Sequence, residues 1–499
     1  MSDVDKDRRW LLNMGGAAVL ASALPLGHSS ARGAGLAPAS APRGKNTNVP
    51  PWAYISPLAT RLAEYVSTAL DRELPDQVIA TAKLHVLDTI AAMVAGSRLR
   101  PGELAARYVA KLGGTPEAMV IGTDTLSSVV NATFANAMAA HADESDDTSP
   151  IGPFHAGCGC VPAALATAEY AGRNGMQVLR AVTLGYDIGT RLILSLGGTK
   201  HNPSCMTNTF AVTATCAALL RLTPAQVRYA FSYAGQQASG IGYWDRDIQH
   251  VEKAFDFGGM GARNGVMAAT MVAMGFTGVE DPFSGSPNIF SVLGEKPAPD
   301  KMIADLGTRF YILGTTIKQW GAGEPLQSVL DNITALIKNA AVRPGNIKRI
   351  IVEVPSGDVH IVNNNPNPGL CVQHLIALTI VDRGATFWSI HDVARMHDPI
   401  VLAVRRLVEL VPSHALQMAK TRHLTVIRIQ TSDGRWFSHA VQKLLGTAQD
   451  PMDAQQVEAK ALDLTGRVLG VKRARQLIAT MRGFDRLGAV SALRPLLQT

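Results

Sequence analysis

The residue types best suited to proton chemistry lie close together in the first third of the chain. Residues 141–148 read His-Ala-Asp-Glu-Ser-Asp-Asp-Thr, and His-Ala-Gly follows at 155–157. Carboxylates and imidazoles are the groups that most often move protons in general acid–base catalysis. An Ala-rich helical run ends at Ala140 and the next is predicted to begin at Pro162, which places this acidic segment, 141–148, at a helix end. Functional residues collect in such loops, although a solvated acidic loop is the alternative.

Length and composition indicate a globular protein with more than one domain. The chain has 499 residues, more than a single core usually holds. Hydrophobic residues make up 47% and charged residues 17%, which is typical of a chain with a large core. The net charge of +7 suits small anionic substrates. Because no Lys/Arg run carries interleaved aromatic residues, a nucleic-acid partner is not expected.

The five cysteines do not form a recognisable framework. They lie at Cys158, Cys160, Cys205, Cys216 and Cys371, an odd and sparse set that does not predict disulfides. The Cys-Gly-Cys spacing at 158–160 is too tight for a typical zinc pair, and no second pair completes it. Buried thiols are therefore predicted.

Residues 1–51 are predicted to be a twin-arginine signal peptide followed by a linker. The pair Arg8-Arg9 precedes an apolar run at 14–26, and small residues follow it. The apolar run is too short to span a membrane, so no stable membrane association is expected. The prediction is export to the periplasm. If the Arg pair is a chance feature of a disordered tail, the protein is cytoplasmic.

Up to about Gly294 the apolar spacing predicts helices and no convincing strand. The predicted helices, rich in Ala and Gly, cover 56–70, 75–95, 103–112, 127–140, 162–173, 177–194, 208–222, 224–237 and 258–274. This pattern is typical of a large all-helical domain.

The pattern changes after Lys318. A helix at 324–339 precedes a β-branched run at 346–354, and the runs 424–430 and 435–440 flank an Asp-Gly turn that predicts a hairpin. Helical spacing returns from Asp453 to Met481. The predicted fold class is mainly α: a helical domain, 52–313 plus 444–499, with an inserted smaller α+β lid domain, 314–443. The active site is expected in the cleft between them.

Several motifs, in this order, resemble those of the MmgE/PrpD family. That family includes 2-methylcitrate dehydratase, cis-aconitate decarboxylase and related isomerases and epimerases. The resemblance runs from about Leu58 to Leu497. It rests on 141–148, which is similar to His-Ala-x-Asp-aromatic-Asp-Asp-Thr, on 155–157, 185–187, 199–204 and 237–240, on Lys253 ahead of Gly258, Ala262 and Gly265, and on Lys318.

The resemblance implies a helical domain with an α+β lid, action on small di- or tricarboxylates, a homodimer, and no metal, iron–sulfur or organic cofactor. It also implies the site residues. These are Glu144, Thr148, His155 and Lys253 as catalytic residues, and His201, Lys318 and His374 as substrate-binding residues.

The chemistry gives these residues roles. Removing a proton beside a carboxylate, or losing carbon dioxide from it, builds an electron-rich centre that ammonium groups stabilise. Lys253 and Lys318 are the predicted charge clamps, and His155 is the predicted proton donor or acceptor. Glu144 and Thr148 are predicted to orient His155 or the substrate. Asp146 and Asp147 are expected to hold the loop by accepting backbone N–H bonds, and His141 is expected to favour the dipole of the helix that it ends.

The sequence differs from the family pattern at positions that are expected to recognise the substrate. Glu144 replaces an aspartate, and Ser145 replaces an aromatic residue. The stretch 318–323 lacks the usual proline and cysteine, and His374 falls where the decarboxylases have a lid tyrosine. The reaction of a relative therefore does not transfer directly.

The function predicted is a cofactor-independent lyase of a small di- or tricarboxylate of the 2-methylcitrate or aconitate type, with dehydration ahead of decarboxylation. Three alternatives stay open. One is an isomerase or epimerase that transfers an α-proton. Another is a non-catalytic carboxylate-binding protein of the periplasm. The last is a metal-dependent hydrolase using Asp143, Asp146, Asp147 and His155, although acids so close together cannot all face one ion.

Overall fold

Helices build most of the molecule, and their ends follow local capping chemistry. The computed structural model describes residues 50, 53–152 and 154–499; the predicted signal peptide lies outside the described residues. Ser56 begins the first helix because its side-chain oxygen accepts the N–H of Ala59. The helices before the lid are α1 Pro57–Ser67, α2 Asp76–Gly96, α3 Arg100–Leu112, α4 Val129–Ala140, α5 Ala156–Ala171, α6 Gly175–Leu196, α7 Pro203–Leu219, α8 Pro224–Gln237, α9 Val251–Ala254, α10 Met260–Ala273 and α11 Ile289–Leu293.

Two local predictions in this region were wrong. Helix α5 begins at Ala156, directly after His155, and continues through Pro162 rather than starting there. A proline inside a helix removes one backbone hydrogen bond, which made the start appear later than it is. The strands β1, Ala118–Met119, and β2, Leu126–Ser127, pair antiparallel, although no strand was predicted here. Two residues are too few to show alternation.

Residues 314–443, the predicted lid, contain a four-stranded sheet of order β4-β3-β5-β6. The predicted hairpin is confirmed as β5–β6, and Gly434 in its turn has a φ of +88°. Strand β4 pairs parallel to β3, while β5 pairs antiparallel to its other edge. The elements are α12 Gln327–Leu336, β3 Ile347–Pro355, α13 Val359–Val362, α14 Val372–Asp382, α15 Phe387–Ile390, α16 Pro399–Arg405, β4 Val408–Ser413, α17 His414–Gln417, β5 Val426–Thr431 and β6 Trp436–His439.

Helix α14 was not predicted from the sequence. Nearly all of its side chains are buried, so no polar face shows the helical period. The chain ends in α18 Ala454–Leu469, α19 Val471–Arg482 and α20 Arg494–Leu497. The prediction of a mainly α protein is confirmed.

Buried hydrophobic residues form two clusters within one unit, Pro50–Thr499. The larger cluster joins α1–α11 to residues of the C-terminal helices, including Val457, Leu464 and Leu477. The smaller cluster holds lid residues, among them Val329, Val352 and Leu375. The domain boundaries 52–313, 314–443 and 444–499 stay a prediction.

Helix α2 is, among the described helices, the one long and apolar enough to cross a membrane. Of its most apolar window, 72% is buried inside the protein. A core helix of a globular protein passes the same test, so its composition alone decides nothing. Its buried face carries polar side chains that support the site described below.

Candidate active site

The acidic segment is buried, which contradicts the alternative of a solvated loop. It begins at His141, the residue that ends α4. Asp146 and Asp147 are 0% exposed, and Asp143 and Glu144 are 3% and 5% exposed. A buried carboxylate is strongly destabilising unless it is paired, so each of these acids requires partners.

Asp146 holds two histidines with one oxygen. Its Oδ2 lies 3.0 Å from Nδ1 of His141 and 3.1 Å from Nδ1 of His155. Burial alone would raise the pKa of Asp146, but the two imidazoles and Lys318 hold that pKa well below its usual range. A carboxylate on Nδ1 fixes the tautomer with the proton on Nδ1, which leaves Nε2 to accept a proton. Both histidines are therefore oriented for proton transfer.

Phe257 fixes the rings of both histidines. Its ring stacks on His141 at 4.8 Å with an interplanar angle of 2°, and it meets the edge of His155 at 5.2 Å. Phe257 belongs to a π-helical turn, Phe255–Gly259, that joins α9 to α10. Such turns occur often at functional sites because they redirect side chains locally.

Glu144 lies between the two predicted lysines. Lys253 donates to its Oε1, and Nζ of Lys318 lies 3.9 Å from its Oε2 and 3.5 Å from Oδ1 of Asp146. Burial opposes ionisation of Glu144, but the charges of Lys253 and Lys318 lower its pKa below the usual range. Burial would lower the pKa of Lys318, yet Asp146 and Glu144 raise it. Both carboxylates and the ammonium group of Lys318 therefore stay charged.

Thr148 links the acidic segment to the segment that carries Lys318. The N–H of Thr148 donates to the carbonyl of Thr316 at 3.0 Å, and the reverse bond is 2.8 Å. Lys318 follows two residues later, so this bridge sets its approach to Asp146. The structure thus brings five predicted residues together: Glu144, Thr148, His155, Lys253 and Lys318.

Asp147 connects the acidic segment to neighbouring helices. Its carboxylate accepts from the N–H of Gly157 at 2.9 Å, from His85 of α2 at 2.6 Å, and from Tyr186. A Cβ at Gly157 would lie 2.6 Å from Oγ1 of Thr89, so a side chain does not fit there. The expected backbone bond is confirmed for Asp147. It is wrong for Asp146, whose described partners are side chains.

A lysine from the C-terminal part of the chain completes this support. Lys460 of α18 donates to the carbonyl of Ser145 at 2.8 Å and lies 2.6 Å from Oδ1 of Asp88. Burial raises the pKa of Asp88, and the Lys460 charge opposes that rise. A helix that follows the lid in sequence therefore holds the acidic segment in place.

Residues farther along the lid than Lys318 add two more contacts. Nε2 of His391 lies 3.2 Å from Oδ2 of Asp143, whose other oxygen accepts from Ser145 at 2.8 Å. Asn367 lies 3.4 Å from Nδ1 of His250. The site is therefore closed by contacts from both parts of the chain.

Two predicted substrate-binding residues are not drawn into this cluster. The described hydrogen bond of His201 joins its backbone N–H to Oγ1 of Thr199 at 3.2 Å. His374 is buried in α14, and its ring nitrogens have no hydrogen-bond partner among the described residues. Burial and the charges of Arg405 and Arg395 lower the pKa of His374 to about 4. Their roles stay predictions.

Two groups of side chains place possible metal ligands within 4.8 Å of one another: His141, Glu144 and His250, and His141, Asp146 and Cys158. In the first group Glu144 already pairs with Lys253, and in the second Asp146 faces Lys318. An ammonium group repels a cation that competes for its carboxylate. Burial also raises the pKa of the Cys158 thiol, which disfavours the thiolate that a metal would need. The prediction of a metal-free site is retained. All five cysteines are buried and free, as predicted.

Several site residues were missed or misjudged from the sequence. His141 was assigned to the helix dipole, yet it shares Asp146 with His155. His250, His391 and Lys460 had no sequence signal, since each reaches the acidic segment from a distant part of the chain. The five-residue spacing from His141 to Asp146 was the one local hint.

Known proteins match this chain over most of its length. Residues 60–301 match the family model of the MmgE/PrpD N-terminal domain, and residues 321–486 match that of the MmgE/PrpD C-terminal domain. The chain is 23% identical to a cis-aconitate decarboxylase of Aspergillus terreus over 481 residues, which cover 89% of this chain and 96% of that protein. It is 24% identical to a cis-aconitate decarboxylase-like protein of Aspergillus oryzae over 323 residues, 60% of this chain and 66% of that protein.

Proposed function

Because the chain belongs to the MmgE/PrpD family, whose cis-aconitate decarboxylase relatives support a lyase, we propose that it is a lyase of small di- or tricarboxylates of the aconitate type. Decarboxylation and dehydration are its candidate reactions, and the relatives favour decarboxylation over the dehydration that the sequence analysis placed first. The proposed reaction needs no cofactor, as the family resemblance implies.

The arrangement of Asp146, His155 and Lys318 carries this proposal. One carboxylate orients an imidazole at 3.1 Å, and the same residue lies 3.5 Å from a buried ammonium group. An oriented imidazole moves protons, while a buried ammonium stabilises an electron-rich carbon skeleton beside a substrate carboxylate. A site that only binds a carboxylate would need the lysines but not the oriented imidazole.

The two reactions use His155 differently: it donates a proton to carbon in decarboxylation and removes one from carbon in dehydration. In decarboxylation the carbon–carbon bond to a carboxylate breaks, carbon dioxide leaves, and the electron pair stays on the substrate. For this reaction His155 must start with protons on both ring nitrogens, and the proton on Nε2 then adds to carbon. In dehydration Nε2 of His155 removes a proton beside a carboxylate, and the electron pair of the broken C–H bond forms a double bond as the hydroxyl leaves. The proton taken up by Nε2 passes to the leaving hydroxyl, which departs as water. In both, Lys253 and Lys318 bind the substrate carboxylates.

A second candidate, epimerisation, is favoured by one observation. Nδ1 of His141 and Nδ1 of His155 both bond to Oδ2 of Asp146. If one imidazole removes an α-proton and the other returns a proton to the opposite face, the carbon inverts without losing any group.

Substrate panels in deuterated water test these proposals. Cis-aconitate, citrate, 2-methylcitrate and four-carbon dicarboxylates are incubated with the purified protein and followed by NMR and carbon dioxide release. We expect deuterium incorporation with at least one of them, accompanied by carbon dioxide for decarboxylation or by a new alkene for dehydration. Inversion without a lost group would identify the epimerase. Saturable binding without exchange or product would leave a binding protein, and His155→Gln is the control for background exchange.

A homodimer and periplasmic location belong to the same proposal. The family resemblance is the argument for the dimer, and Arg8-Arg9 is the argument for export. Sedimentation equilibrium of the full chain tests the first: a single species at about 53 kDa, the mass of one chain, would contradict it.

A further inference from the structure

His250 has a backbone conformation that its residue type seldom adopts. Its φ is +58°, in the left-handed region that few residues with side chains enter. Such conformations cost free energy and cluster at functional sites, where the surrounding structure holds them. The side chain is 4% exposed and points to the acidic segment, since its Nδ1 lies 3.8 Å from Oε1 of Glu144.

A residue of the lid determines which nitrogen of His250 carries the proton. Asn367 accepts the N–H of Gly369 through Oδ1 at 2.9 Å, which fixes that atom as the amide oxygen. Its Nδ2 must then be the atom 3.4 Å from Nδ1 of His250. An amide nitrogen only donates, so Nδ1 of His250 accepts and the proton of the neutral ring lies on Nε2.

The Nε2–H group of His250 has no hydrogen-bond partner within the part of the chain that the structure describes. The ring centroid lies 5.4 Å from that of His141, so the group belongs to the cluster that holds Asp146 and Glu144. Burial lowers the pKa of His250 to about 3, with Lys253 adding to the shift against the opposing charge of Glu144. A buried, neutral donor beside two ammonium groups is suited to an anionic oxygen.

We propose that His250 is a substrate-contacting residue, whose neutral Nε2–H donates to an oxygen of the bound polycarboxylate while Asn367 of the lid fixes the tautomer. This inference rests on the proposed function, because it takes the ligand to be a polycarboxylate. It also couples the lid to the chemistry: the donor is set on Nε2 only while Asn367 is seated against His250. The charge that develops on a substrate carboxylate during proton or carbon dioxide loss is the charge this donor stabilises.

Two substitutions at His250 separate this role from a structural one. The amide nitrogen of glutamine lies near the position of Nε2, whereas that of asparagine lies near Nδ1. His250→Gln is expected to keep turnover within about tenfold, and His250→Asn to lose about 10²-fold or more, as expected for removal of one such donor. Asparagine tolerates the left-handed conformation better than glutamine, so a role confined to the backbone predicts the reverse order. His250→Asn as active as His250→Gln, or more active, overturns the proposal.

The tautomer has its own spectroscopic test. In protein labelled with 15N-histidine, His250 is assigned by its loss in His250→Gln, and its proton is expected on Nε2. In Asn367→Asp a carboxylate faces Nδ1, so a proton is expected on Nδ1. A proton on Nδ1 in the wild type overturns the proposal, and so does an Nε2–H signal that a turned-over panel member leaves unshifted at saturation. If the wild type turns over no panel member, the proposed function fails while the tautomer result still stands or falls separately.

Discussion

His391, a residue of the lid, forms an ion pair with Asp143. Nε2 of His391 lies 3.2 Å from Oδ2 of Asp143, and its Nδ1 lies 2.8 Å from the carbonyl of Phe387. Both ring nitrogens face acceptors, so both carry protons. Burial alone would lower the pKa of His391, but the hydrogen bond with Asp143 and its charge raise it above 6.5.

This pair predicts a pH-dependent stability. A histidine whose folded pKa is raised stabilises the protein fully below its unfolded pKa, near 6.5, and loses this contribution as pH rises through the folded value. Burial opposes ionisation of Asp143, yet His391 lowers its pKa below 3.8, so Asp143 contributes above that value. The difference in Tm between the wild type and His391→Gln should therefore be larger at pH 6 than at pH 9. A difference that is constant with pH would contradict a charged pair.

Asp146→Asn should reduce turnover per folded molecule by about 10²–10⁴-fold, because an amide no longer fixes the Nδ1–H tautomer of His141 and His155. Asp147→Asn is the matched control in the same segment. It faces His85, Tyr186 and the N–H of Gly157, so it should lower Tm more than turnover per folded molecule. Steady-state kinetics and thermal melts of both variants compare the two. Equal losses of turnover in the two variants would contradict a specific role of Asp146 in orienting the histidines.

His155→Gln should cut kcat by about 10²-fold or more and leave KM nearly unchanged. The reason is that a proton-transfer group acts in the transition state, whereas the lysines bind the ground state as well. Steady-state kinetics on whichever panel member is turned over measures this. Retained kcat in His155→Gln would move the proton chemistry to His141, for which His141→Gln is the parallel variant.

Lys253→Met should weaken substrate binding and lower kcat/KM together, since the substrate carboxylate is present in both states. It also removes the cation that Glu144 pairs with, so the pKa of Glu144 should rise. Isothermal titration of a non-reacting polycarboxylate measures binding directly. Lys253→Arg keeps the positive charge but changes the shape of the side chain, so this control separates the two effects. Unchanged affinity in Lys253→Met would show that this ammonium serves Glu144 alone.

Arg8→Lys combined with Arg9→Lys should keep the protein in the cytoplasm, because twin-arginine export reads the Arg pair itself. Fractionation of expressing cells measures the share recovered from the periplasm. Arg32→Lys, beyond the apolar run, is the control that should change nothing. Unchanged periplasmic recovery in the double variant would contradict the twin-arginine prediction.

The sequence alone determined the features that short stretches of chain encode. The hairpin β5–β6 followed from an Asp-Gly turn between two strand-like runs, and α8 was predicted at its observed bounds, Pro224–Gln237. The order of motifs identified the family. Turn chemistry, apolar period and residue order are local properties, so they can be read without knowing which distant segments meet.

Only the tertiary structure decided which side chains share the site. Glu144 and Lys253 are 109 residues apart, and Ser145 and Lys460 are 315 apart. No local period reports such a contact, because it depends on how α18 and the lid pack against the helices that precede them. The proton positions of His250 and His391 likewise depend on Asn367 and Asp143, partners that lie beside them only after folding. The sequence supplied the chemical groups, and packing gave each of them its partner.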